Sequence, residues 1–71
     1  MFFDEFCRHW KFSIGGQVRV YINNSSTPAY AMGLGSFFGI GYNWLLGGYE
    51  ITELRTYFKK HDVLYIIKLR G

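Results

Sequence analysis

Hydrophobic positions recur along this chain with two periods, and the switches between them outline the elements. Phe3, Phe6, Cys7 and Trp10 fall at i, i+3, i+4 and i+7, one face of a short N-terminal helix. Gly15 and Gly16 break that pattern. Val18, Val20 and Ile22 then alternate with Arg19 and Tyr21, which predicts a strand with its apolar side inward. The polar residues 23–28 read as a turn. Across residues 30–44 the even positions (Tyr30, Met32, Leu34, Ser36, Phe38, Ile40, Tyr42, Trp44) are mostly large and the odd ones mostly glycine or alanine. This period of two predicts strand, although fifteen residues exceed the usual strand length. The alternatives are one long strand bent at its glycines or a hairpin turning near Ser36 and Phe37.

Beyond Gly47 and Gly48 the pattern changes again. Thr52 is a good helix N-cap, Glu53 suits the first turn, and Leu54, Tyr57 and Phe58 make an apolar stripe at helical spacing. Lys59, Lys60 and His61 would fill the last turn, where cations are favoured. Residues 63–70 are rich in β-formers and predict a closing strand. The expected fold class is therefore α+β: a small antiparallel sheet of three or four strands, one helix packed on a face, and a short N-terminal helix. Residues 1–71 read as one such domain, with no repeat or linker.

The uncharged run at residues 29–48 is long enough to span a bilayer. Its six glycines and its alternation argue for strand, so a small membrane-associated protein is only the third reading. The N-terminus carries Asp4 and Glu5 where a signal peptide needs basic residues, which predicts a cytoplasmic location, the host cytoplasm for a viral protein. Aromatic residues make up 21% of the chain. So short a domain has little interior for that many rings, which predicts that some lie at an interface with a partner protein or a second copy.

Catalytic chemistry finds no support in the spacing. Gly33-Leu34-Gly35-Ser36-Phe37-Phe38-Gly39 is one residue too long for a kinase glycine loop and lacks the accompanying strand lysine. Cys7 and His9 point apart on a helix, so they cannot act as nucleophile and base together. Cys7 is the lone cysteine, and neither a metal nor a cofactor site is expected. The expectation is a non-catalytic binding protein. Leu54, Arg55, Tyr57 and Phe58 are the candidate protein-docking residues. The alternative is a single-stranded nucleic-acid module in which Lys59, Lys60, Lys68 and Arg70, interleaved with tyrosines, hold phosphates; the net charge of +3 is compatible with it but too small to establish it.

Gly48-Tyr49-Glu50-Ile51-Thr52-Glu53-Leu54, then Tyr57-Phe58, then Ile66-Ile67-Lys68-Leu69-Arg70 resembles the C-terminal part of the small phage inhibitors of host uracil-DNA glycosylase. The resemblance covers about the last third of the chain. It implies a dimerising strand-strand-helix-strand protomer whose helix face imitates DNA or plugs the enzyme through Leu54, Arg55 and Phe58. The chain departs from the family at Arg55, where the family carries an acid, and in its net positive charge.

Overall fold

The computed structural model describes residues 1–9, 12 and 15–71. Helix α1 (Phe3–His9) forms where the helical spacing predicts it, with Asp4 and Glu5 in the first turn and Arg8 and His9 in the last. Each charge thus sits at the end of the helix dipole that favours it. Phe3 and Phe6 are buried and Cys7 is half-buried; Trp10, the last residue of the expected stripe, lies outside the described residues. Strand β1 (Gln17–Ile22) buries Val18 and Val20 completely. Asn23 and Asn24 both take positive φ, which asparagine tolerates, and the Ser25 N–H closes the turn on the Ile22 carbonyl at 3.2 Å. The chain returns as β2 (Tyr30–Gly33), antiparallel to β1.

The strand expected through residues 30–44 ends at Gly33. Leu34–Ile40 is helix α2 and Tyr42–Leu45 a single helical turn, α3, separated by Gly41 at φ 92°. The alternation misleads because Leu34, Phe38 and Tyr42 are spaced by four, and a step of four satisfies both period two and one helical turn. Phe37 discriminates, since it follows Leu34 by three and is fully buried, while Ile40 is exposed. No smooth glycine face exists; a β-carbon on Gly35 or Gly39 would meet nothing within 4 Å.

The second correction concerns the expected C-terminal helix. Residues from Thr52 onward belong to strand β3 (Glu50–Lys59), which pairs with β4 (Asp62–Arg70) in an antiparallel hairpin. The stripe of Leu54, Tyr57 and Phe58 is split by strand alternation, Leu54 and Phe58 facing the helices and Tyr57 the open side, and a bulge at Thr52 shifts the phase just before it. Ile51 lies opposite Leu69 and Glu53 opposite Lys68, so one extra residue lets Ile51 and Leu54 face the same side although they are three apart.

The sheet order is β2-β1-β4-β3. The expected α+β class holds, with helices on one face, but the sheet is mixed, because the central strands β1 and β4 run parallel. β4 alternates sharply: Val63, Tyr65, Ile67 and Leu69 are buried and the residues between them are not. These four, with Val18 and Val20, form the floor on which Phe3, Phe6, Leu34, Phe37 and Leu46 pack. Ring contacts tie the helical layer together: Phe3 meets Phe37 edge-on at 6.1 Å, and Phe12 reaches Phe6, Phe38 and Tyr65 at 5.8, 5.3 and 5.0 Å. Much of the aromatic content that predicted an interface is thus core.

Candidate nucleic-acid interface

All three helices lie on the side of Val18 and Ile67, so the opposite sheet face is uncovered by any described element. The strand registers arrange its side chains in three cross-strand rows. Gln17, Leu64 and Tyr57 form the first, Arg19, Ile66 and Arg55 the second, Tyr21, Lys68 and Glu53 the third. Apolar Leu64 and Ile66 occupy the middle of central strand β4, half-buried by their neighbours. Arg19 and Arg55 flank Ile66, and a tyrosine stands at each of two diagonal corners. By sheet geometry the tyrosines are two strands and four residues apart, about 16 Å corner to corner. All of the row residues but Gln17 line a shallow open trough of about 650 Å³, with Lys59 beside them and Ser25 and Ser26 of the β1–β2 turn at its rim.

Glu53 organises the cations. Its Oε2 accepts a hydrogen bond from Arg55 Nε at 2.9 Å and lies 3.6 Å from Lys68 Nζ. A hydrogen bond with Tyr57, and then the Glu53 carboxylate, hold the Arg55 guanidinium above its ordinary value. Arg70 pairs with Glu50 at the far end of the same face. These pairs are solvent-exposed, where screening by water leaves an ion pair little net worth, so a phosphate can displace a carboxylate at little cost.

The candidate residues sort by strand alternation. Arg55, Tyr57, Lys59, Lys68 and Arg70 share the open face, uniting two groups that the sequence assigned to different functions. Lys60 sits in the β3–β4 turn, outside the trough. Leu54 and Phe58 face the helical side, so the four docking residues do not form one surface. Tyr57 is 46% and Phe58 84% exposed, on opposite faces of an edge strand. Arg19, Tyr21, Leu64 and Ile66 went unassigned. Their signal was the odd phase of β1 and the even phase of β4, legible only once the two strands are known to be neighbours.

Burial, and secondarily the charge of Asp4, push the Cys7 thiol up to about 12, which keeps it protonated at neutral pH. His9 and His61 are exposed. Among the described residues no group of three or more His, Cys, Asp or Glu could hold a metal ion, and no helix is long and apolar enough to cross a membrane. No family model matches the chain, and neither does any curated protein or solved structure.

Proposed function

We propose that the chain is a non-catalytic binding protein whose open sheet face takes single-stranded nucleic acid. The observation that carries this reading is the convergence of Arg19, Arg55, Lys59 and Lys68 with Tyr21 and Tyr57 on one uncovered face. Cations meet phosphates without regard to sequence, and exposed rings stack on unpaired bases. A duplex keeps its base faces stacked inside, so the tyrosines favour the single strand.

Fluorescence anisotropy with labelled oligonucleotides tests this. Binding should weaken as salt rises, with a log–log slope near −3 if about four phosphates are neutralised. Tyr57→Ala and Tyr21→Ala should each cost about 1–3 kcal/mol of affinity through lost stacking. Lys68→Gln should flatten the slope, whereas Lys60→Gln should leave it unchanged. Equal affinity of the wild type and the Tyr57 variant, or the absence of any low-salt binding, would overturn the reading.

A second reading, docking on a partner protein, is favoured by the exposed apolar cluster Ile40, Trp44 and Leu45, of which Trp44 is 74% exposed. Inhibition of a uracil-DNA glycosylase is its narrowest form. Uracil release measured with and without the chain tests that form; undiminished release would exclude it.

A further inference from the structure

Among the described residues the outer edge of β3 carries an unused pairing surface, and its sequence is complementary to itself. At the start of the strand that edge is occupied: the Ile51 N–H donates to the Met1 carbonyl at 2.9 Å, and Phe2 bridges Glu50. From residue 53 to residue 59 no described residue pairs with it. An edge of this length is ordinarily blunted by proline, a bulge or an inward charge. Here the bulge lies before the free segment, at Thr52, and the helix-side positions are Leu54, Thr56 and Phe58.

We propose that the chain dimerises by antiparallel pairing of β3 with β3 of a second copy, about a two-fold axis between the two Thr56 residues. An antiparallel pair sums to a constant residue number, which for this axis is that of Thr56 doubled. Glu53 then faces Lys59 of the second copy, Leu54 faces Phe58, Arg55 faces Tyr57, and Thr56 faces itself. Each is a favourable cross-strand pair: opposite charge, apolar with aromatic, cation with ring, and threonine with threonine. Phe58, 84% exposed in one chain, gains Leu54 of the second copy as a neighbour.

Neighbouring registers fail on charge. Shifting the axis to Arg55 sets Arg55 against its own copy, and shifting it to Tyr57 sets Arg55 against Lys59. A shift to Leu54 carries the pairing into the bulge and the edge already held by Met1 and Phe2. The Thr56 register uses only the free segment. The two-fold axis runs perpendicular to the sheet, so the two helical layers lie on one side and the two open faces join on the other. This inference is independent of the nucleic-acid reading, because its test contains no nucleic acid.

Sedimentation equilibrium of the full chain should give twice the 8.3 kDa mass of one copy. Glu53→Lys alone places lysine against Lys59, and Lys59→Glu alone places glutamate against Glu53; each should weaken self-association by roughly tenfold or more. An equimolar mixture of the two variants restores opposite charges at both contacts, and a heterodimer should form where neither variant dimerises. Phe58→Lys should give a folded monomer, with circular dichroism unchanged because the ring contributes little to its own core. A monomeric wild type at high concentration would overturn the proposal. So would variants that remain dimeric, or a mixture that fails to associate.

Discussion

A β-carbon built on Gly47 would lie 3.0 Å from the Asp4 Cβ, 3.2 Å from the Trp44 carbonyl oxygen and 3.4 Å from that of Asn43. Two of these neighbours are backbone, and the Gly47 carbonyl also accepts from the Asp4 N–H at 3.3 Å, tying α1 to the turn after α3. Gly47→Ala should therefore destabilise the protein by about 1–3 kcal/mol, the usual range for overpacking. Gly48, one residue on, has open space around it and no positive φ. Gly48→Ala should be neutral or stabilise by up to about 1 kcal/mol, through a less flexible unfolded chain. Urea denaturation of the two variants checks the contrast; equal midpoints would mean that the Asp4 contact yields freely.

Strand β4 contains the same experiment in two adjacent isoleucines. Ile67 is 1% exposed against the helical layer, whereas Ile66 lies half-buried on the open face. Ile67→Ala should cost about 2–5 kcal/mol, the range for a core truncation. Ile66→Ala should change stability far less but weaken oligonucleotide binding, since it removes the apolar centre between Arg19 and Arg55; calorimetry and anisotropy on both variants separate the roles. β4 also shows what a sequence can reveal. Residues 63–70 were legible as a strand from their β-former content, and β1 from the alternation of Val18, Val20 and Ile22, but which phase of β4 is buried was not, since Leu64 and Ile66 are as apolar as their neighbours. The run from Leu34 to Tyr42 was ambiguous because its steps of four fit either period. β3 was illegible in a different way: the Thr52 bulge resets the phase, and pairing with β4 overrides a respectable helix start. The site was half legible. The basic residues of β3 and β4 stood out, but Arg19 and Tyr21 join them only through the parallel β1–β4 pairing, and no local pattern encodes which strands are neighbours.

At the scale of the whole molecule, the sheet consists of two hairpins joined side by side, with the helices on one face and charge on the other. If β3 edges pair as proposed, the combined sheet runs β2-β1-β4-β3 and back through the second copy. The two troughs then become one basic surface that can engage a longer strand than either alone. The parallel contact at the centre has a further consequence, in time rather than space. β1 finds its inner neighbour only in residues 64–69, more than forty positions later, so the core cannot close during synthesis until β4 has been made. Until then the first hairpin and α1 lack the β4 surface on which their apolar side chains pack. The large share of distant contacts also predicts refolding on the order of milliseconds to seconds, slow for so few residues. A chain ended at residue 61 should remain unfolded by circular dichroism at every temperature, whereas an independently stable first half would retain the β1–β2 hairpin and the helices. Slow codons across residues 62–70 would therefore act on the whole fold at once, because β4 lies at the centre of the sheet.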